Sequence, residues 1–209
     1  YDDIRALIRE FKPSVAHFHN TFFMITPSVY DACRDEGVAV VQSLHNYRMV
    51  CANGLFLRKG KVCELCGPKT QINGIFHRCY RRSFLLSGVL ADMVRYHWRR
   101  NTWGQKVDRY VVATEFTRQQ FIRLGIPAAR IVIKPHFVDD PKIAPRVDGG
   151  YMLYAGRLSE EKGVDVLLRA WEGLKDIPLY IAGSGPLMPQ VQQMIKDRGL
   201  GNVRVLGFL

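Results

Sequence analysis

The sequence predicts an α/β protein with two parallel sheets, and three observations carry that expectation. Short β-branched, apolar runs alternate with helix-period stretches, the pattern of strand–helix–strand units whose strands are covered on both faces. Glycines close the helical stretches at Gly37 and Gly125. A stretch over 135–150 with three prolines, two glycines and three acids splits the units into two groups.

In chain order, YDDIRALIREF is an amphipathic helix, and its character is that of a mid-protein segment, not of a signal peptide. SVAHF (14–18) and VAVVQSL (38–44) read as strands, joined by a helix from Pro27 to Glu36. RYVVA (109–113), the helical EFTRQQFIRLG and RIVIK (130–134) complete the first group. The second comprises YMLYA (151–155), a helix near Lys162 to Leu174, PLYIA (178–182), a helix near Leu187 to Arg198, and NVRVLG (202–207). The expected organisation is a first lobe over 1–140 with a cysteine-rich basic insertion at 46–82, a linker at 141–150, and a second lobe over 151–209. Each lobe reads as incomplete, as though cut from a longer two-lobed protein.

Composition narrows the classes. With 47% hydrophobic and 23% charged residues the chain is globular, and no apolar run approaches the ~18 residues a membrane span needs. The formal charge is +11, and ten of those charges fall between Arg48 and Arg109, where thirteen Lys and Arg meet three acids. Anionic partners follow: phosphates, nucleic acid or lipid headgroups. Five cysteines without an export-type leader suit a reducing compartment.

The richest chemistry follows the linker. YMLYAGRLSEEKG runs from strand through a glycine turn into helix, with Gly156 at the strand's carboxyl end. Arg157 and Lys162 are cations at the crevice where open α/β sheets bind ligands. A guanidinium grips a diphosphate through paired bonds, and a lysine adds a point charge. Ser159 is the expected N-cap, with Glu160 and Glu161 in the first turn. PLYIAGSGP repeats the design: Gly183, Ser184 and Gly185 offer free N–H groups to a phosphate ahead of a helix. An ordinary capped helix with surface cations is the bland alternative.

GRLSEEKGVDVLLRAW, followed by LYIAGSGP and NVRVLGFL, resembles the retaining GT-B glycosyltransferases of family 4, the glycosyl transferases group 1. HFHN, QSLHNYRMVCANGLFLRKGKVCELC, RCYR, VATEFTRQQF and IVIKPHFVD resemble members acting on bacterial surface polysaccharides. The resemblance implies two Rossmann-like lobes and transfer of a hexosyl group from a UDP- or GDP-sugar to a sugar or lipid-linked acceptor. It implies that Arg157 and Lys162 hold the donor diphosphate, that Gly156 and the Gly183–Gly185 turn lie against the nucleotide, and that Gly207 and Phe208 lead to its base. It gives His45 the role of the family's histidine that contacts the donor sugar, with no catalytic metal. Asn46 stands where members often carry Asp, so this chain offers an amide there and no carboxylate. The family's Glu-x7-Glu motif and its N-terminal glycine-rich turn do not occur in the chain, which implies a fragment without turnover of its own. The implied setting is the cytoplasm, at the inner face of the membrane. His17 and His19, at the preceding strand end, are further candidates for the cleft.

Cys51, Cys63, Cys66 and Cys79 space as C-x11-C-x2-C-x12-C, compatible with a structural zinc site; buried free thiols are the competing reading. Cys33 reads as a core residue. SFLLSGVLADMVRYHWRRN reads as an amphipathic helix with Leu86, Leu90, Met93, Val94 and His97 on one side. Its arginines, with Trp98 and Trp103, suit an anionic membrane surface, or equally a solvated face. A zinc-stabilised nucleic-acid-binding module would use the same basic segment but leaves the second lobe unexplained, and nucleic acid is not expected as a partner. An epimerase or non-catalytic homologue would keep the fold.

Overall fold

A computed structural model describes residues 1–22, 25–140, 142 and 149–209. The expected linker at 141–150 lies outside them except for Lys142, Gly149 and Gly150. The chain forms two compact units, Tyr1–Val138 and Asp139–Leu209, each with its own core.

The first unit begins with α1 (Asp2–Phe11), β1 (Val15–Phe18), α2 (Ser28–Asp35) and β2 (Ala39–Ser43). A short antiparallel hairpin follows, β3 (Leu57–Arg58) and β4 (Lys61–Val62), then α3 (Ile72–Phe76), α4 (Phe84–Arg99) and α5 (Thr102–Gln105). The unit closes with β5 (Arg109–Val112), α6 (Glu115–Arg123), a 3-10 turn (Ala128–Arg130) and β6 (Ile131–Ile133). All pairings in the main sheet are parallel, in the order β1-β2-β5-β6.

Apolar spacing explains the helices. α2 turns Val29, Tyr30, Ala32 and Cys33 inward, and Cys33 is fully buried, as its helical position predicts. The Tyr30 hydroxyl donates to Gln42 Oε1 at 2.7 Å, so neither polar group is buried unpaired. Ser83 and Thr114 cap α4 and α6 by accepting from the N–H groups of Leu86 and Thr117. Arg5 and Arg9 of α1 both reach Glu36, fastening α1 to the end of α2.

The second unit contains β7 (Met152–Ala155), a 3-10 turn (Glu160–Lys162), α7 (Val164–Trp171), β8 (Leu179–Ala182), α8 (Met188–Asp197) and β9 (Val203–Gly207). Its sheet is parallel in the order β7-β8-β9. Leu158, Val164, Leu168, Leu179, Ile181 and Val191 fill its core.

Two local expectations are corrected. Ser159 stands at the N-cap position with Glu160 and Glu161 in the first turn, but of a 3-10 turn, and its hydroxyl donates to Glu161 Oε1 at 2.6 Å instead of accepting a backbone N–H; α7 itself starts at Val164 after Gly163 in the left-handed region. Trp103 is buried, and Trp98 is half-buried with its indole N–H donating to the Met49 carbonyl at 2.7 Å, so both serve the core instead of a membrane interface. Leu90, Val94 and His97 are buried as the spacing of α4 predicts, whereas Leu86 is exposed.

Candidate functional site

In the first unit, strand ends gather imidazoles. β1 delivers His17 and His19 and β2 leads into His45, because parallel register puts the carboxyl ends of both strands side by side. His136 follows β6 by three residues. His17 Nε2 lies 2.9 Å from Ser43 Oγ, and His19 Nδ1 lies 3.0 Å from His45 Nε2. The His19 and His45 rings are stacked at 5.2 Å, and His136 also stacks with His45, at 6.1 Å. The four rings line an open cleft of about 740 Å3 with Lys134 and Phe137. His19, Ser43 and His45 also line a neighbouring cavity of about 440 Å3 that Arg48 and Gln42 share.

Burial and the neighbouring rings of His19, His136 and His17 hold the His45 imidazole below its ordinary range. His17 is lowered likewise, by burial first and then by His19 and Lys134. A row of imidazoles this close resists multiple protonation, since each added charge faces the next. His17 and His45 are therefore held toward the neutral form, in which each ring offers one donor and one acceptor to hydroxyl groups. Asn46 is committed locally: its side chain donates to Asn20 Oδ1 and accepts from the Arg48 N–H.

The histidines proposed from strand ends thus come together, and His136 joins them unannounced. A polar residue just past a buried strand of a parallel sheet was the available signal, because such sheets present their carboxyl ends to ligands.

In the second unit, the loops after β7 and β8 interlock. The Gly156 N–H donates to the Ala182 carbonyl and the Leu158 N–H to the Ser184 carbonyl, both at 2.9 Å, which prolongs the strand pairing beyond the sheet. A Cβ on Gly183 would stand 1.9 Å from the Gly156 carbonyl oxygen, and one on Gly185 2.3 Å from that of Leu158. The glycines of this turn are demanded by backbone packed on backbone.

That geometry corrects one expectation. The Gly183 N–H is not free but donates to the Gly207 carbonyl at 2.6 Å. Among the described residues the Ser184 and Gly185 N–H groups donate to no backbone carbonyl. Arg157 and Lys162 are exposed and, among the described residues, form no ion pair with an acid. Their charges assist the Ser159 hydroxyl in holding the Glu161 carboxyl below its usual range. Gly207 adopts φ +80° at the end of β9, and Phe208 beyond it is exposed.

The four clustered cysteines line one small cavity with Arg58, Asn73 and His77. Burial pushes the Cys66 thiol up to about 11, and the nearby thiols of Cys51, Cys79 and Cys63 add to this. Among the described residues no three His, Cys, Asp or Glu side chains form a ready-made metal shell. No described helix is long and apolar enough to cross a membrane.

Solved structures share the fold. A point variant of S. aureus TarM, solved in complex with Fondaparinux, alpha-GlcNAc-glycerol and UDP, matches with a TM-score of 0.59 at 13% identity, over 99% of this chain and 36% of that one. HepE of Anabaena bound to UDP matches with a TM-score of 0.59 at 14% identity, over 99% of this chain and 51% of that one. Among curated proteins, the alpha-D-kanosaminyltransferase of Streptomyces kanamyceticus is 37% identical over 67 residues, 30% of this chain and 17% of that protein. The chain thus spans about a third to a half of the solved structures it resembles, and its fold is GT-B with Rossmann-like parallel sheets. Residues 1–141 match the model described as Glycosyltransferase Family 4, and residues 138–209 match that described as Glycosyl transferases group 1. By that coverage, which leaves no part of the sequence unmatched, the chain belongs to glycosyltransferase family 4.

Proposed function

We propose that the protein transfers a hexosyl group, with retention, from a UDP- or GDP-sugar to a sugar or lipid-linked acceptor in the making of cell-surface polysaccharide or glycolipid. The observation that carries this reading is the interlocked pair of loops after β7 and β8. It presents two exposed cations that form no ion pair among the described residues, and two amides that donate to no backbone carbonyl there, at one sheet end. Arg157 and Lys162 grip the donor diphosphate, and the Ser184 and Gly185 amides supply neutral donors beside them. Gly156, Gly183 and Gly207 lie against the nucleotide, and Phe208 lies toward its base.

In the reaction, the bond from the anomeric carbon to the diphosphate oxygen breaks as the acceptor oxygen bonds to the same face. The acceptor proton passes to the departing phosphate. Negative charge grows on that phosphate, so fixed cations lower the barrier without a catalytic metal. His45, steadied by His19 and His136, hydrogen-bonds sugar hydroxyls in the histidine-lined cleft. Support for the donor class comes from relatives: HepE is solved with UDP-glucose, and GtfA of pneumococcus with UDP and GlcNAc. The likeness to WaaB, a lipopolysaccharide outer core galactosyltransferase, supports a surface-glycan acceptor.

A lipid-linked acceptor has its own support. Phe76 of α3 and Phe84, Leu85 and Val89 of α4 are exposed beside Arg78 and Arg82, an apolar face among cations. We place the protein in the cytoplasm, peripheral on an anionic membrane surface.

Calorimetric titration of UDP and GDP into the chain tests the donor reading. The double variant Arg157→Ala/Lys162→Ala is expected to bind about 100-fold more weakly, since each charge-assisted contact contributes on the order of 1.5 kcal/mol. Unchanged affinity in that variant would overturn the proposal.

A further inference from the structure

Residues 55–82 have little core of their own. β3 and β4 are two residues each and α3 is five, while Leu55, Val62, Leu65, Ile72 and Phe76 are exposed. Phe56, Lys59, Arg78, Arg81 and Arg82 adopt positive φ here, a region side chains avoid. Something other than apolar burial must hold such a segment in one shape.

Three thiols of this segment and that of Cys51 border one cavity, though among the described residues they do not stand in a ready-made metal shell. Cys51 follows β2, Cys63 follows β4, Cys66 precedes α3 and Cys79 comes after it, yet all four line the same small cavity. Arg58 lines that cavity as well, and its Nε is the buried side-chain donor that lacks an acceptor among the described residues. An orphaned cationic donor beside four thiols asks for negative charge on sulfur.

We propose that Cys51, Cys63, Cys66 and Cys79 bind one zinc ion as a tetrahedral four-thiolate structural site. The four S–H protons leave to solvent as four Zn–S bonds form, and no electron is transferred. The resulting centre carries two negative charges, and Arg58 Nε meets one of its sulfurs. Paired disulfides would be neutral and leave that donor orphaned, which is why metal is the occupant. Cys51 gives up its hydrogen bond to Asn53 Oδ1, 3.0 Å in the free thiol, when it turns to the ion. The cross-link ties the segment to the loop after β2, whose Tyr47 and Met49 pack on the main core six residues or fewer from His45. The site is structural, since four protein ligands leave no open position, and it stands independently of the donor reading.

The test uses the full chain, purified under reducing conditions without chelator. Elemental analysis is expected to find about one zinc per chain, released in step with mercurial titration of the thiols. Cobalt substitution is expected to show thiolate charge-transfer bands and the visible bands of a tetrahedral centre. Cys63→Ser/Cys66→Ser should lose at least about nine-tenths of the metal, and Cys33→Ser should keep it. Arg58→Met should weaken zinc about tenfold in competition with a chromophoric chelator. Folded, metal-free chain that takes up no tetrahedral cobalt would overturn the proposal, as would two disulfides found by non-reducing mass spectrometry. If the double cysteine variant does not fold, the mercurial titration of the unaltered chain decides.

Discussion

His45 stacks with two other imidazoles, those of His19 and His136, and its chemistry follows from that. The 3.0 Å contact between His45 Nε2 and His19 Nδ1 requires one donor and one acceptor, so the pair holds its geometry when at least one ring is neutral. Burial and neighbouring rings lower the folded pKa of His45 and His17 below the unfolded value. The unfolded chain then takes up protons first as pH falls, and stability drops below about pH 6.5 until the folded rings also protonate. Urea midpoints should therefore fall from pH 7.5 to 5.5, and fall less in His17→Asn/His45→Gln. Buried His97, lowered in the same direction, stays in both proteins as a common background. Equal falls would mean that the cluster does not carry the effect. The glycine turn makes a second prediction at this scale. Gly185→Ala drives a methyl to 2.3 Å from the Leu158 carbonyl, and Gly183→Ala adds a φ of +144° to a closer clash. Either should destabilise by about 2 kcal/mol or more in chemical denaturation. Gly201→Ala, which meets nothing within 4 Å, should stay within about 0.5 kcal/mol.

Helix α4 shows how one element serves two environments. Its inward residues Leu90 and Val94 are almost wholly buried, so Leu90→Ala should cost about 2–4 kcal/mol by thermal or urea unfolding. Phe84, Leu85 and Val89 face outward, and the triple serine variant should leave stability nearly unchanged. The same variant should lose most co-sedimentation with anionic vesicles if this face meets a membrane. Retained co-sedimentation would remove the lipid part of the proposed function. The loop after β7 is a different kind of element. Its backbone is spent on pairing with the loop after β8, and only its long cationic side chains are left for a ligand.

Over the whole molecule the positive charge is concentrated in the first unit, between Arg48 and Arg109. Vesicle binding through it should weaken steeply between about 0.05 and 0.5 M salt, because the screening length shrinks from roughly 13 to 4 Å. Salt-independent binding would instead point to the apolar face alone. Much of the architecture was legible beforehand: short, mostly apolar runs alternating with helices that repeat near 3.6 residues announce β1, β2, β5, β6 and β7–β9. The β3–β4 hairpin and α3 were not legible, being too short for a periodic signal. Nor was the fate of Trp98 and Trp103, since an amphipathic pattern gives an apolar face without saying what covers it. The sequence by itself determined the strand–helix alternation, the cation-bearing motif and the cysteine spacing, because these are matters of local period and residue type. Tertiary structure alone decided that His136 stacks on His45, that Gly183 and Gly185 answer to the carbonyls of Gly156 and Leu158, and that Arg58 lies beside four thiols. Those facts join residues far apart in the chain, and only packing sets the distances between them.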